Sequence, residues 1–338
     1  MTKLRFGVLS TAKIGREKVI PPMMRGARTE VTAIASRDAA RARSVADELG
    51  IARAYGSYEE LLADPQIDAV YNPLPNHLHV HWTLEAAKAG KHVLCEKPIA
   101  ITRADAEPLA AAAERHGVRI QEAFMVLTHP QWLKARSLVA DGRIGELRVI
   151  QGCFSYFNTD AQNIRNKADI GGGGMLDIGC YPTVVSRFVT GREPARVFAT
   201  MDRDPVMEID RLGSVVLQFD GTFPIQASFL YSTQLTPYQR MIFFGTDGRL
   251  EVELPFNALP DRPMRLILHD GASGPLAEGE VVEIEACDQY GVAGDAFAAS
   301  ILDNTEQPVP LAFTMANMAV IDAAFRSAES GRFESIRS

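Results

Sequence analysis

Short apolar runs alternate with longer helical stretches over the first third of the chain. The runs expected to form strands are Leu4 to Leu9, Val31 to Ala35, Ala69 to Asn72, His92 to Cys95 and Arg119 to Glu122. Between them, Ala39 to Leu49 and Leu78 to Ala89 are rich in Ala, Leu and Glu and end near glycine, as helices often do. This alternation predicts parallel βαβ units and a doubly wound sheet.

The pattern changes from Gly152 onward, where apolar runs are separated by Gly, Pro and Asp turns. The expected strands are Val197 to Met201, Gly213 to Phe219, Ile225 to Tyr231, Gln239 to Phe244 and Leu250 to Leu254. The first four read as a meander, which predicts a mainly antiparallel sheet. A helix around Met175 to Val189 is the best candidate to cover one face of that sheet. A closing helix from Thr314 to Ala328 has apolar residues at helical spacing, which indicates packing.

The length of 338 residues is more than one ordinary core needs and predicts two domains. We place them at residues 1–122 and 123–338, with the final helix packing back near the first domain. The expected fold class is α/β. A Rossmann domain with a doubly wound parallel sheet comes first, and an α+β domain with a large, mainly antiparallel open sheet follows.

Charge and cysteine content narrow the classes of partner. A formal net charge of -7 argues against nucleic acid or an anionic membrane surface as a partner. The 4 cysteines form no CxxC pair, which fits a reduced, cytoplasmic protein. The apolar run near the amino terminus, Phe6 to Leu9, is far shorter than the core of a secretory signal.

The loop after the first expected strand resembles a dinucleotide-binding turn. In Gly7-Val8-Leu9-Ser10-Thr11-Ala12-Lys13-Ile14-Gly15, the three glycine places of GxGxxG hold Ser10, Ala12 and Gly15. Small residues there let backbone amides and a helix start approach a pyrophosphate. Many α/β proteins carry such a turn and bind nothing, so the loop alone leaves both interpretations open.

The end of the second expected strand bears on the choice of nucleotide. An NAD site usually places an acidic residue there, but this chain reads Ser36-Arg37-Asp38, with Arg41 one turn on. A hydroxyl and guanidinium groups suit a 2′-phosphate, which favours NADP over NAD. The structural alternative is that the two arginines only cap and solvate the helix that follows. In that case Asp38 would be the N-cap of this helix.

Two further expected strands are followed by residues of chemical interest. A group of three histidines follows Ala69 to Asn72, and Lys97 follows His92 to Cys95. The run His92-Val93-Leu94-Cys95-Glu96-Lys97-Pro98 delivers Lys97 to the carboxyl end of a buried strand, where ligands bind in parallel α/β sheets. Its ammonium can lower the pKa of a neighbouring acid or base. His77, His79 and His81 do not share one helix face, so no metal site is expected.

The second domain holds one chemically rich segment, residues 171–182, with the sequence GGGGMLDIGCYP. Its glycines let the backbone approach a ligand closely. Asp177 and Tyr181 are four apart and share one face of a helix. A phenol near a lysine can act as a general acid or base. The structural alternative is a helix cap, a core aromatic residue and a mobile loop.

Together these motifs resemble the Gfo/Idh/MocA family, which comprises glucose-fructose oxidoreductase, inositol dehydrogenase and related oxidoreductases. The resemblance covers about residues 4 to 330. It is carried by the segments GVLSTAKIG, SRD, NPLPNHLH, AGKHVLCEKP, NIR, GGGGMLDIGCYP and GTDGRLEV. Within the family, the chain most resembles the branch of NADP-dependent D-xylose 1-dehydrogenase and dihydrodiol dehydrogenase. Ser10 and Ala12 depart from the commoner glycine loop.

The resemblance implies specific roles for residues. The catalytic residues would be Lys97, Asp177 and Tyr181. The cofactor, NADP rather than NAD, would be held by Ser10, Thr11, Ala12, Lys13, Ile14, Ser36, Arg37, Arg41, Leu74, Asn76, His79, Glu96, Lys97 and Arg165. It also implies a homodimer or homotetramer formed through the outer face of the second-domain sheet.

The implied reaction is hydride transfer between nicotinamide and a hydroxyl of a sugar, polyol or diol. Tyr181 would exchange the proton, Lys97 would stabilise its phenolate, and Asp177 would tune the pair or bind a second hydroxyl. A D-xylose 1-dehydrogenase-like activity is expected. The alternatives are a dihydrodiol dehydrogenase, a ketosugar reductase, a transhydrogenase, or a sensor without catalysis. The sequence does not identify the substrate.

Overall fold

A computed structural model describes residues 2–274 and 277–336. The helices are α1 Ile20–Arg25, α2 Ala39–Leu49, α3 Tyr58–Leu62, α4 His79–Lys88, α5 Arg103–His116, α6 Pro130–Ala140, α7 Cys180–Thr190, α8 Gln289–Leu302 and α9 Leu311–Ser330. The strands are β1 Leu4–Leu9, β2 Thr29–Ala35, β3 Arg53–Tyr55, β4 Ala69–Asn72, β5 His92–Cys95, β6 Ile120–Glu122, β7 Leu147–Phe157, β8 Arg196–Arg203, β9 Asp210–Phe219, β10 Ile225–Ser232, β11 Gln234–Gly245, β12 Gly248–Val252, β13 Met264–Asp270, β14 Glu280–Ile284 and β15 Glu334–Ser335.

The chain divides into two compact units. The first unit comprises Met1–Thr128 and Asp288–Met315, and the second comprises His129–Cys287 and Ala316–Ser338. Over the described ranges, no helix is both long and apolar enough to cross a membrane.

The first unit is built on a six-stranded parallel sheet. Its strand order is β3-β2-β1-β4-β5-β6, and each neighbouring pair runs parallel. This confirms the doubly wound Rossmann sheet expected from the alternating pattern. The order reverses between β1 and β4, so the loops that leave these strands flank the crevice where such sheets bind ligands. Helix α8 packs on the sheet, with the ring centroids of Phe297 and Phe6 6.3 Å apart.

The second unit is built on a nine-stranded sheet. Its order is β14-β13-β12-β11-β7-β10-β9-β8-β15, and only β7 and β10 pair in parallel. The expectation of a mainly antiparallel sheet is confirmed. The four-strand meander is wrong at its last strand, because β7 lies between β10 and β11 and pairs with both. Local apolar patterns mark strands but do not say which strands pair.

One face of this sheet is covered by a helical layer, as expected. The helix begins with a π-helical turn, Met175–Gly179, and continues without a break as α7. It packs against β7 and β10. The sequence predicted the helix, but it gave no sign of the π-helical turn. Such turns are rare and frequently lie at functional sites.

Candidate active site

The loop after β1 has an unusual backbone at its first residue. Ser10 has φ of 100°, although it is not glycine. Its amide donates to the carbonyl oxygen of Ala35 at 3.0 Å, and its Oγ accepts from the amide of Ala12 at 3.3 Å. The chain then enters a π-helical turn at Gly15–Val19. This loop therefore keeps the backbone shape that the glycine of the fingerprint usually supplies.

The groups expected at a 2′-phosphate lie beside this loop. Ser36 is buried and its Oγ accepts from the amide of Asp38 at 3.3 Å. Arg41 reaches back, with its Nε donating to Thr11 Oγ1 at 3.0 Å. The carboxylate of Asp38 caps α2 by accepting a hydrogen bond from the Arg41 amide at 3.1 Å. Asp38 is therefore the helix N-cap that the structural alternative expected. Arg37 is exposed at the same edge. Two guanidinium groups and one hydroxyl fit a 2′-phosphate better than a 2′-hydroxyl.

His79 joins the loops that follow β4 and β5. It is buried, with Nδ1 2.7 Å from the carbonyl oxygen of Pro98 and Nε2 2.6 Å from that of Leu74. The pKa of His79 is lowered to about 4, mainly by burial and to a smaller extent by the Lys97 cation. The neutral ring has one N–H, so only one of these two carbonyls receives a hydrogen bond at neutral pH. His79 therefore braces the loop next to Lys97, and both its ring nitrogens already contact the backbone.

The residue before Lys97 is also held from within the first unit. Glu96 is buried, and its Oε1 accepts from the hydroxyl of Tyr71 at 2.7 Å. Its Oε2 accepts from the Lys97 amide at 3.3 Å. Burial raises the pKa of Tyr71, and the Glu96 carboxylate raises it further, so the phenol remains a donor. These bonds fix the backbone at the carboxyl end of β5.

The remaining residues that the sequence assigned to the cofactor lie in the same loops. Leu74 is buried, Asn76 opens a short 3-10 helix, and Lys13 is exposed, 3.9 Å from Glu17. His77 and His81 are exposed, unlike His79. Across residues 2–274 and 277–336, no group of three His, Cys, Asp or Glu side chains could hold a metal ion.

In the second unit, Asp177 lies at the centre of a charged network. Arg165 Nε donates to both carboxylate oxygens at 3.1 Å, and the Tyr156 hydroxyl donates to Oδ2 at 2.6 Å. The Asp177 charge is the main reason that the pKa of Arg165 is raised. Burial and then Asp177 raise the pKa of Tyr156. A cation and a phenol donor both favour the ionised carboxylate, so Asp177 is arranged as an acceptor and not as an acid.

Tyr181 lies in the first turn of α7, against aromatic rings. It is buried, with its ring centroid 5.6 Å from Phe154 and 5.4 Å from Phe256. These two phenylalanines stack on each other at 4.8 Å. These aromatic contacts hold the ring of Tyr181 in one place.

Sequence reasoning missed Tyr156 and placed Arg165 only at the cofactor. Both belong to the Asp177 network. The signal for Tyr156 was available, because Ile150, Phe154 and Tyr156 alternate along β7 and therefore face one side. The position of Arg165 depends on the fold of the loop between β7 and the glycine segment, which no local pattern predicts.

Two family models match the chain in succession. Residues 4–124 match the model described as an oxidoreductase family with an NAD-binding Rossmann fold. Residues 132–251 match the GFO/IDH/MocA C-terminal domain. The first unit thus contains an NAD(P)-binding Rossmann domain.

Similar proteins extend over nearly the whole chain. An uncharacterised oxidoreductase of Rhizobium meliloti is 47% identical, covering 99% of this chain and 100% of its own. A D-xylose 1-dehydrogenase (NADP(+)) of Haloferax volcanii is 39% identical, with 97% and 98% covered. The crystal structure of a 3-ketoreductase from Actinomadura kijaniata with NADP and TDP-benzene superposes with a TM-score of 0.88 at 29% identity, with 96% and 98% covered. The chain is therefore an NAD(P)-dependent sugar oxidoreductase and belongs to the Gfo/Idh/MocA family.

Proposed function

We propose that this protein is an NADP-dependent aldose dehydrogenase of the D-xylose 1-dehydrogenase type, with Tyr181 as its acid/base. The observation that carries the proposal is the Asp177 carboxylate, which accepts hydrogen bonds from Arg165 and Tyr156. Asp177 lies four residues before Tyr181 on the same helix. The D-xylose 1-dehydrogenase of Haloferax volcanii, similar over nearly its full length, supports the choice of substrate class.

The residues of the first unit fit NADP in their donor chemistry. Backbone amides after β1 would meet the pyrophosphate, and Ser36, Arg37 and Arg41 would bind the 2′-phosphate. The nicotinamide, when bound, supplies the hydride acceptor. The cap formed by Asp38 supports NADP over NAD, because this carboxylate already accepts from a helix amide.

The chain's own residues would then move the proton. Tyr181 takes the proton from the substrate hydroxyl, and Lys97 supplies the positive charge that favours a phenolate. Asp177 accepts a hydrogen bond from a second substrate hydroxyl or fixes the local charge. General acid/base catalysis of this kind accelerates a reaction about 10²- to 10⁴-fold.

The test is a substrate panel followed by two variants. Aldoses, cyclic polyols and aromatic diols are assayed with NADP and with NAD by nicotinamide absorbance. We expect turnover of an aldose with preference for NADP. A strong preference for NAD would contradict the assignment of Ser36, Arg37 and Arg41.

Tyr181→Phe and Lys97→Met should each lower kcat by about 10²-fold or more. The matched controls are Tyr55→Phe, at a tyrosine of β3 whose hydroxyl donates to Asp64, and Lys88→Met, at an exposed lysine of α4. Both controls should keep full turnover. If Tyr181→Phe and Lys97→Met both fold and both keep nearly the wild-type kcat, the proposal is wrong.

A ketosugar reductase is the second candidate, supported by the likeness to the 3-ketoreductase. The same residues would run the reaction in the opposite direction, with Tyr181 donating the proton. Oxidation of NADPH by a 3-ketosugar, without aldose oxidation, would favour it.

A transhydrogenase would instead retain NADP through dialysis and release it on denaturation. A sensor without catalysis has no need for the Asp177 network, which argues against that function.

The outer face of the second-unit sheet supports self-association. Leu230, Ile242 and Phe244 alternate with core residues of β10 and β11 and are half-buried, and Tyr238 beside them is exposed. We propose a homodimer or homotetramer through this face. Light scattering should give a mass above the 37.0 kDa of one chain, and Phe244→Glu should lower it towards that value.

A further inference from the structure

Asp210 fastens the beginning of the helix that carries Asp177 and Tyr181. It is the first residue of β9 and is 3% exposed. Its Oδ2 accepts from the amide of Met175 at 2.6 Å and from the hydroxyl of Tyr231 at 2.6 Å. Met175 is the first residue of the π-helical turn. A carboxylate at this end of a helix satisfies an open amide and complements the helix dipole.

The glycines around this carboxylate leave room for it. A Cβ at Gly173 would collide with Asp210 Oδ1, and a Cβ at Gly174 would lie 2.7 Å from the ring of Tyr231. A Cβ at Gly213, which pairs with Tyr231 across β9 and β10, would collide with the same ring. The segment before the helix is thus shaped to receive one carboxylate and one phenol.

The charge of Asp210 faces few compensating groups. Burial raises its pKa to about 6, although Tyr231, the Met175 amide and Arg203 each lower it. Asp210 also contributes to the raised pKa of Tyr156, the phenol that donates to Asp177. The groups that face Asp210 are therefore Tyr231 of β10, Arg203 of β8, Tyr156 of β7 and the amide of the helix start.

We propose that Asp210 is a positioning residue for the reaction, which keeps Asp177 and Tyr181 in place by anchoring the first turn of their helix. The proposal rests on the proposed function. Above pH 6 the ionised carboxylate accepts both hydrogen bonds. Below that pH protonation removes the negative charge that strengthens both hydrogen bonds at Oδ2, so turnover should fall on the acidic side.

The first test is Asp210→Asn, which keeps the shape and one acceptor oxygen but removes the charge. We expect kcat to fall about 10- to 100-fold at pH 8, with an unchanged dissociation constant for NADP, and the acidic limb near pH 6 to disappear. Asp204→Asn is the matched control, because Asp204 accepts from the amides of Val206 and Met207 and not from the helix. Wild-type kcat and an unchanged acidic limb in Asp210→Asn would overturn the proposal.

The second test needs no turnover. Hydrogen–deuterium exchange of peptides spanning residues 172–181 is compared between wild type and Asp210→Asn without substrate. The proposal expects faster exchange in Asp210→Asn and wild-type exchange in Asp204→Asn. Equal exchange in wild type and Asp210→Asn would overturn the anchoring role. If exchange changes and no substrate on the panel turns over, the failure concerns the proposed function alone.

Discussion

Two segments of this protein enter a helix through a π-helical turn, one in each unit, and they solve the same backbone problem differently. In the first unit, the loop at residues 10–15 leads into Gly15–Val19, and its special φ belongs to Ser10. In the second unit, residues 171–174 are all glycine and lead into Met175–Gly179. The first loop tolerates a strained serine, and the second leaves no room for a Cβ at residues 172–174.

The difference lies in what surrounds each loop. The φ of 100° at Ser10 costs local backbone strain. The hydrogen bonds of Ser10 itself, such as the one its Oγ accepts from the amide of Ala12, support this conformation. Gly173 also has a positive φ, 124°, but there the carboxylate of Asp210 fills the space that a Cβ would take. A glycine can therefore be required by its neighbours as well as by its own dihedral angles.

The largest expected effect tests this crowding. Gly173→Ala combines a strained φ with a collision at Asp210, so we expect a loss of about 4 kcal/mol in the free energy of unfolding. The matched control is Gly191→Ala, at a φ of 61° with no atom within 4 Å of the added Cβ. It should lose only about 1 kcal/mol. Equal losses in urea denaturation would mean that strain alone requires glycine at position 173.

The next prediction contrasts a buried titratable group in each unit. The pKa of His79 is lowered from 6.5 to about 4, so its contribution to stability is complete above pH 6.5 and is lost as the pH falls toward 4. The pKa of Asp210 is raised from 3.8 to about 6, so acidification from pH 6 toward 3.8 favours the folded state. The two groups give opposite slopes.

Urea denaturation at pH 6.5 and 4.5 measures both slopes. His79→Gln should lose about 2 kcal/mol less stability than wild type over this interval, whereas Asp210→Asn should lose about 2 kcal/mol more. His129 of the second unit, whose pKa burial also lowers to about 4, remains in both variants and does not affect the comparison. Differences from wild type of the same sign in the two variants would contradict this account.

The smallest expected effect concerns Ser10. Ser10→Gly removes about 2 kcal/mol of backbone strain and adds about 1 kcal/mol of unfolded-state entropy, so thermal unfolding should show a net gain of about 1 kcal/mol. Ser57→Gly is the control, because Ser57 caps α3 at an ordinary φ of -145° and should lose a few tenths. A loss of stability in Ser10→Gly would show that the hydroxyl, and not the strain, dominates at this loop.

The sequence predicts the first unit better than the second. The bounds of β1, β4 and β5 match the apolar runs, because buried parallel strands are continuous apolar segments that end at Gly, Pro or a polar loop. In the second unit the apolar runs mark β9 and β10, but β7 was not recognised. Its place between β10 and β11 depends on pairing between distant parts of the chain.

The same reason explains which residues of the candidate site the sequence could indicate. Lys97, Asp177 and Tyr181 lie in compact motifs whose spacing carries information. Tyr156 and Asp210 become relevant only through the register of separate strands and the path of a loop. Alternation along β7 indicates which face Tyr156 lies on, but the contacts of Tyr156 and Asp210 with the helix start join distant parts of the chain, and no local periodicity predicts those contacts.

The position of β7 also has a consequence during synthesis. Its parallel partner β10 and its antiparallel partner β11 both lie far downstream. The strands on either side of it must leave the ribosome before the middle of the sheet can close. Until then, Leu147–Phe157 presents two open strand edges, a period in which a nascent chain is exposed to mispairing and to chaperones.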